Sequence, residues 1–295
     1  MRISNTFERN MTRPDHPRAN ELLEKEFPCL NAGFVRLVDY MGSDEAIVQA
    51  ARVSYGRGTK AVNEDRGLIR YLMRHSHTTP FEMVEFKFHI KLPIFVARQW
   101  IRHRTANVNE YSGRYSVMKD EFYIPDPDVI HFQSLQNKQG RRSGDVPSEL
   151  RERVLQILVS SQRQLYGEYE KMLEEDIARE LARINLPLSL YTEWYWKIDL
   201  HNLFHFLRLR LDSHAQFEIR VYADAMADIV RQIVPCAWEA FEDYQLGSVQ
   251  FSRLEKAVLA DQLDLSVISQ EMLVERGFGK REAEEFLEKL GGLKS

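Results

Sequence analysis

The clearest pattern in the chain is the strict alternation of apolar and polar residues from Val84 to Leu92. Because successive side chains of a β-strand point to opposite faces, a period of two predicts a half-buried antiparallel strand. Residues 34–41 predict a second strand, and the aromatic-rich segment 188–198 predicts either a strand or a crossing of the core. These segments predict an antiparallel sheet.

Helical periodicity dominates the rest of the chain, with apolar residues three and four positions apart on one face. The predicted helices span 44–55, 63–75, 148–173, 200–211 and 213–244. Asp199 is a suitable N-cap for the fourth, and Pro235 interrupts the last. The fold class predicted from these patterns is α+β, with an antiparallel sheet packed against long helices in a single domain.

The two ends of the chain differ from this central part. Residues 1–33 mix charges with prolines and show no sustained periodicity, which predicts an extended N-terminal arm. Residues 246–295 contain a capping box, Ser252 to Glu255, followed by short amphipathic helices. We therefore predict an arm over 1–33, one domain over 34–245 and a helical C-terminal extension over 246–295.

Composition limits the class of protein. The chain has 295 residues, of which 44% are hydrophobic. Its net charge of -4 argues against nonspecific electrostatic binding of nucleic acid. No apolar stretch approaches the roughly 20 residues that span a bilayer. Cys29 and Cys236 lack metal or redox spacing, and the N-terminus shows no apolar signal region. These features predict a cytoplasmic globular protein.

The densest polar segment is 102–114, which contains three arginines, a histidine, a carboxylate and a serine. Guanidinium groups stay protonated and repel one another unless anionic or polarised oxygens lie between them. Since the segment follows the apolar run Ile94 to Ala97 and Trp100, a purely solvated face fits poorly. The segment predicts a pocket for a small, partly planar anion.

Three further segments carry polar residues in otherwise apolar surroundings: 75–79, 179–183 and 199–214. We expect all four segments to converge in the fold. One alternative is a divalent metal site, because His201 and His205 are one helical turn apart and the histidines of 75–79 could add ligands. Against it, Asn202 stands where the glutamate of an HExxH motif would be.

Two other classes remain open from the residues alone. Arginines interleaved with Trp100, Tyr111 and Tyr115 could stack and clamp a nucleic-acid strand, although the acidic net charge weakens this interpretation. A scaffold without chemistry would not explain why polar clusters occur inside apolar helices.

The string Arg102-His103-Arg104, followed by Asn109-Glu110, Ser112 and Arg114, closely resembles the signature of flavin-dependent thymidylate synthases. Further similarity lies in 77–82, 93–100, 182–187 and 209–216, so the resemblance spans about residues 34–244. It implies a mixed α and β fold in a homotetramer whose active sites are shared between subunits. It also implies the reductive methylation of dUMP to dTMP, with methylenetetrahydrofolate as carbon donor, FAD as redox carrier and NADPH as reductant.

The resemblance also implies roles for individual residues. Positions matching cofactor contacts are His77, Thr79, Arg102, His103, Arg104, Glu110, Asp199, Leu200, His201 and His205. Positions matching the nucleotide site are Gln99, Trp100, Ile101, Arg102, Glu110, Tyr111, Ser112, Gly113, Arg114, Arg183 and Arg210. No metal is implied. The sequence departs from the family pattern at Asn107, Asp199 and His205.

The chemistry of these residue types agrees with the implied roles. Paired arginines and small hydroxyl or backbone donors suit a nucleotide phosphate. Uracil accepts a hydride only if negative charge can spread over the ring, and a guanidinium, the implied catalytic role of Arg210, favours that charge. Neither cysteine lies in a context that activates a nucleophile, so a covalent cysteine adduct is not expected. Ser112 lacks an adjacent base and is interpreted as a substrate anchor.

Overall fold

A five-stranded antiparallel sheet is the centre of the fold in the computed structural model, which describes residues 16–53, 62–135, 140–142, 144–262, 264 and 267–292. The strands of this described part are β1 Glu26–Cys29, β2 Gly33–Met41, β3 Glu85–Pro93, β4 Asn107–Glu110 and β5 Tyr191–Asp199. Their spatial order is β1-β2-β3-β5-β4, so β3 is central and β4 lies at an edge.

Helices account for most of the remaining described residues. They are α1 Pro17–Leu22, α2 Asp44–Ala51, α3 Val62–Arg74, α4 Ile94–Trp100, α5 Ser148–Glu174, α6 Arg179–Ala182, α7 Leu200–Arg210, α8 Phe217–Ile233, α9 Pro235–Phe241, α10 Arg253–Gln262, α11 Gln270–Glu275 and α12 Lys280–Gly291. The predicted α+β class is confirmed. Within the described ranges, no helix combines the length and apolar character needed to cross a membrane.

The alternation that predicted β3 has a direct structural cause. Phe86, Phe88 and Ile90 are fully buried in the main core, whereas Glu85 and Lys87 point to the opposite, half-exposed face. The buried face lies in one core cluster with residues of α7 and α8. At an apolar area term of about 25 cal/mol per Å², each of these side chains contributes roughly 2 kcal/mol to folding.

The N-terminal segment differs from the prediction of an extended arm. Residues 17–22 form α1, with Ala19 and Leu22 buried, and β1 pairs with β2 through neighbours such as Phe27 and Val35. Because β1 is an edge strand, Pro28 can occupy it without losing an essential backbone donor. The arm prediction is therefore wrong for 17–29, and residues 1–15 lie outside the described part.

Strand β5 lies between two of the polar segments along the chain, 179–183 and 199–214, and pairs with part of a third, 102–114. Asp199 caps the N-terminus of α7. Its carboxylate accepts hydrogen bonds from the backbone N–H of Asn202 at 2.9 Å and from the side-chain amide of Asn202 at 2.7 Å. This is the predicted N-cap. The segment 102–114 follows α4, and its residues 107–110 form β4 beside β5. Residues 107–110 thus form a strand that the sequence pattern did not predict.

The C-terminal extension is helical, as predicted. Ser252 and Glu255 form the reciprocal capping box, with the backbone N–H of Ser252 donating to Glu255 Oε2 at 2.6 Å and that of Glu255 to Ser252 Oγ at 3.3 Å. Farther on, α12 packs against α3 through ion pairs between Arg70 and Glu282 and between Arg74 and Glu285. The extension is thus attached to the body of the fold. The boundaries at 33/34 and 245/246 stay predictions.

Candidate active site

A groove of about 810 Å³ lies between the turn that follows α4 and one face of α7. Its lining residues are Arg102, His103, Arg104, Thr105, Asn202, His205, Leu209 and Arg210. Two of the four polar segments therefore converge here. Sequence reasoning missed Asn202 and Leu209 as lining residues, although Asn202, His205 and Leu209 are spaced by three and four residues and so share one face of α7.

The best-defined contact of the groove joins His103 to Arg210. Arg210 Nε donates a hydrogen bond to His103 Nε2 at 3.1 Å, and the imidazole packs edge-on against Phe206 with ring centroids 4.9 Å apart. Burial, together with the charges of Arg210 and His205, lowers the pKa of His103 to about 4. His103 is therefore neutral at pH 7, with Nε2 as acceptor and the proton on Nδ1.

The groove carries positive charge that its own residues do not balance. In the described part of the chain, Arg102, Arg104 and Arg210 form no ion pair with a carboxylate, and neutral His103 offers no negative charge. Burial lowers the pKa of Arg210, yet a guanidinium stays protonated at neutral pH. Uncompensated guanidinium groups around a concave surface are what an anionic ligand requires.

A second polar cluster lies beyond the other end of β4 and consists of Gly113, Arg114, Glu180 and Arg183. A Cβ atom at Gly113 would lie 2.7 Å from Met118 Sδ and 3.0 Å from Arg183 Cδ, so a larger residue here would displace the Met118 or Arg183 side chain. Arg114 Nε donates to Glu180 Oε2 at 2.9 Å, and both side chains are more than half exposed. An exposed pair of this kind contributes little to stability, so Arg114 can exchange its partner for a phosphate at low cost.

Glu110 and Tyr111 lie between the groove and the second cluster. Glu110 Oε1 accepts a hydrogen bond from Thr192 Oγ1 at 2.9 Å, and the backbone N–H of Tyr111 donates to the carbonyl of Glu193 at 2.8 Å. Within the described residues, no hydrogen bond or ion pair joins the groove to the second cluster. The four segments therefore converge in part, with 102–105 beside 202–210 and 112–115 beside 179–183.

Two predicted contact residues have side chains that face the core. Trp100 is fully buried, with its ring 4.6 Å from that of Phe206 and 5.3 Å from that of Trp196. Leu200 is also fully buried, and its backbone N–H donates to the carbonyl of Val84. The apolar periodicity of α4 and α7 places them inside. Because both side chains are buried, their backbone atoms are the ones left for a ligand contact, and both positions stay predictions.

The remaining predicted residues are solvent-accessible to different degrees. Ile101, Tyr111, Thr79 and His77 are exposed, while Ser112, Gln99 and His201 are half-buried. The side-chain oxygen of Gln99 is buried without a hydrogen-bond partner, which marks a place where a ligand donor would be favourable.

The metal alternative gains no geometric support from the structure. Among the described residues, no three His, Cys, Asp or Glu side chains form a group that could hold a metal ion. His75, which the alternative needed beside α7, instead contacts Glu285 of the extension, with Nε2 to Oε2 at 3.0 Å.

Comparison with known proteins identifies the family. Residues 36–236, more than half of the chain, match the family of the thymidylate synthase complementing protein. A flavin-dependent thymidylate synthase of Rickettsia conorii is 53% identical over 287 residues, covering 93% of this chain and 97% of that relative. The corresponding enzyme of Treponema denticola is 60% identical over 233 residues, covering 79% and 88%. The chain belongs to the thymidylate synthase complementing protein family.

A solved structure extends this result to the fold. The UMP/dUMP methylase PolB of Streptomyces cacaoi, bound with 5-Br dUMP, superposes with a TM-score of 0.68 at 33% identity and covers 75% of this chain and 99% of its own. The region matched by the thymidylate synthase complementing protein family contains both the groove and the second cluster. It excludes the C-terminal extension.

The depressed pKa of His103 predicts a pH-dependent stability for this family member. An unfolded histidine gains its proton near pH 6.5, whereas folded His103 stays neutral down to about pH 4. Protonation between these values therefore favours the unfolded state, so the stabilising contribution is complete above pH 6.5 and is lost as pH falls to 4. We expect the free energy of unfolding to drop across this window by about 2 kcal/mol more than in His103→Gln, after allowance for partial exposure.

Urea denaturation of the ligand-free protein at pH 7, 5.5 and 4.5 measures this difference. The His103→Gln variant is the control, because it keeps a polar side chain but cannot take up a proton in this range. Equal pH dependence in both proteins would contradict the burial of a neutral imidazole.

Proposed function

We propose that this protein methylates dUMP reductively to dTMP, with methylenetetrahydrofolate as carbon donor, FAD as redox carrier and NADPH as reductant. The observation that carries the proposal is the contact of Arg210 with neutral His103, in a groove whose guanidinium groups lack carboxylate partners among the described residues. The names of the relatives and the 5-Br dUMP bound to PolB support the same reaction.

The groove fits FAD by its chemistry. Arg102 and Arg104 offer charged donors to pyrophosphate oxygens, and His103 offers its Nδ1 proton or its ring edge to the planar part of the ligand. The exposed side chain of His205, on the face of α7 that lines the groove, adds a polar donor. When bound, FAD supplies reducing equivalents taken from NADPH.

The second cluster suits the phosphate of the nucleotide. Arg114 and Arg183 carry permanent charge, and the glycine between Ser112 and Arg114 lets the backbone approach closely. Ser112 Oγ, which accepts from the backbone N–H of Arg114 at 3.3 Å, holds the turn and keeps its hydroxyl proton for a ligand oxygen.

Arg210 is the residue we assign to the reacting ring. Hydride addition at C6 of uracil leaves negative charge on the ring and its carbonyl oxygens, and a fixed guanidinium stabilises that charge without acting as a competing acid. The contact with His103 orients the guanidinium. Because Nε is used in this contact, the terminal nitrogens remain available for the substrate.

The chain performs this chemistry without a cysteine nucleophile. Burial raises the pKa of the Cys29 thiol to about 12, and burial together with Asp44 raises that of Cys236 to about 11. A nucleophilic thiolate is therefore almost absent at pH 7.

We also propose a homotetramer with shared active sites, located in the cytoplasm. Exposed apolar side chains lie beside or shortly after the residues of the second cluster along the chain, namely Tyr115, Leu181, Ile184 and Leu188, and exposed apolar surface favours association. Within one chain the groove and the second cluster are not joined. In the proposed tetramer, the second cluster of one chain completes the groove of another. The free thiols of both cysteines support a reducing compartment.

The direct test of the proposed function is the colour of the purified protein. We expect a yellow protein whose flavin absorbance bleaches anaerobically with NADPH and returns with oxygen, and whose dTMP formation is insensitive to chelators. Arg104→Ala is expected to weaken flavin retention at least tenfold, since a charge-assisted pair contributes about 1.5 to 3 kcal/mol. A colourless protein with zinc- or manganese-dependent hydrolase activity would refute the proposal. So would a protein that binds oligonucleotides with an affinity that falls steeply as the salt concentration rises.

A further inference from the structure

The C-terminal extension is anchored close to one of the predicted cofactor contacts. Arg74 Nε on α3 donates to Glu285 Oε2 on α12 at 2.7 Å, and the same oxygen lies 3.0 Å from Nε2 of His75. Arg74 and Glu285 are largely buried, with side chains 8% and 16% exposed. One carboxylate of the extension therefore holds both the end of α3 and the first residue of the turn that leads to His77.

A second set of contacts reaches the same turn through an aromatic ring. The guanidinium carbon of Arg281 lies 4.5 Å from the ring centroid of Tyr71, and the ring of Tyr71 stacks on that of His77 with centroids 6.0 Å apart. Arg281 also donates to Glu285 Oε1 at 3.2 Å. The α12 side chains thus contact both His75 and, through Tyr71, His77.

The turn ends α3 in a Schellman motif. Ser76, between the two histidines, has φ of 58°, the left-handed conformation of the residue that follows a helix in this motif. The backbone N–H of Ser76 donates to the carbonyl of Met73 at 3.2 Å. The backbone N–H of His77 donates to the carbonyl of Leu72 at 2.9 Å, so the turn folds back on α3, the helix that α12 covers.

The extension lies outside the residues that the family model matches. That match ends at residue 236, and the superposition with PolB covers 75% of this chain. The Rickettsia conorii relative covers 93% of this chain, so its alignment includes more than half of the extension. The contacts of α12 with the turn therefore indicate its role.

We propose that α12 is a positioning element of the cofactor site, in which Glu285 and Arg281 hold the 75–79 turn so that His77 faces its ligand. This inference rests on the proposed function insofar as His77 contacts FAD or folate. Glu285 and Arg281 act through the turn and are not expected to touch a ligand themselves.

Two variants of α12 test the inference. Glu285→Gln removes the charge that binds Arg74 and His75, and Arg281→Gln, at an exposed position, removes the contact with Tyr71 without risk to folding. For both we expect faster amide hydrogen exchange in residues 75–79 and FAD dissociation constants about three- to tenfold higher in titrations of the flavin-free protein. The matched control is Glu288→Gln, an exposed acid on the same helix, which is expected to behave as wild type.

A double-mutant cycle with His77→Ala separates positioning from general stability. If α12 acts through His77, Glu285→Gln should not weaken FAD binding further once His77 is removed. Unchanged exchange in 75–79, or a full additional loss in the His77→Ala background, would overturn the inference. If the unmodified protein binds no FAD, the proposed function fails, whereas the exchange measurement still reports whether α12 holds the turn.

Discussion

Replacement of Arg210 by alanine is expected to lower the turnover of dUMP to dTMP by about 10²- to 10³-fold, the usual effect of removing one preorganised donor from a developing anion. Flavin affinity should fall far less. The variant loses one hydrogen bond, from Arg210 Nε to His103 Nε2, and a bond of this kind contributes about 1 kcal/mol, or roughly a fivefold change in binding.

The same substitution should change the titration of His103. The positive charge of Arg210 is one of the causes that lower the pKa of His103, second to burial, so the imidazole of the variant should protonate at higher pH. The sign follows because the nearby cation destabilises the imidazolium form. NMR of the His103 ring in the flavin-free protein measures this shift.

Arg210→Lys is the matched control for charge. It retains the cation but lacks the planar fork, so we expect activity between those of the wild type and the alanine variant. Flavin content by absorbance, single-turnover kinetics and the dissociation constant of dUMP separate the roles. Equal losses of flavin affinity and turnover would contradict the assignment of Arg210 to the reacting ring.

The sequence predicted those elements whose local pattern and tertiary role agree. The central strand β3 alternates because one of its faces meets the core. The N-cap Asp199 was predictable because its hydrogen bond joins it to a residue only three positions later, at the start of α7.

The edge strands were not predictable in the same way. β1 has four residues and contains Pro28, and β4 is the polar sequence Asn107 to Glu110. Neither has an intrinsic strand signal, since each is extended by pairing with a longer neighbour.

In the candidate site, too, features within one segment were predictable, whereas contacts between distant segments were not. The density of charge in 102–114 indicated a ligand, but no spacing relates His103 to Arg210, which are 107 positions apart. The resemblance to a known family named both residues but assigned His103 to the cofactor and Arg210 to the nucleotide, so their contact was not predicted. The contact of α12 with the 75–79 turn has no signal in the sequence, because its ion pairs depend on how two amphipathic helices dock.

Trp100 is the position at which two sequence signals disagreed. The apolar surroundings of α4 favoured the core, whereas the resemblance placed the residue at the nucleotide. The structure buries its ring among Trp194, Trp196 and Phe206. We therefore expect Trp100→Ala to reduce the free energy of unfolding by about 3 to 5 kcal/mol, the range for removing a buried aromatic side chain and leaving a cavity.

Urea denaturation at fixed protein concentration measures this loss, since association would otherwise shift the midpoint. Trp100→Phe should reduce the free energy of unfolding less, because the phenyl ring keeps the packing against Phe206. The indole N–H of Trp100 has no hydrogen-bond partner in the core, so its removal breaks no hydrogen bond. Phe251→Ala, at a 47% exposed aromatic of the extension, is the control for truncation and should change stability by less than about 0.5 kcal/mol. A stable Trp100→Ala protein with a greatly raised KM for dUMP would show instead that the indole ring contacts the nucleotide.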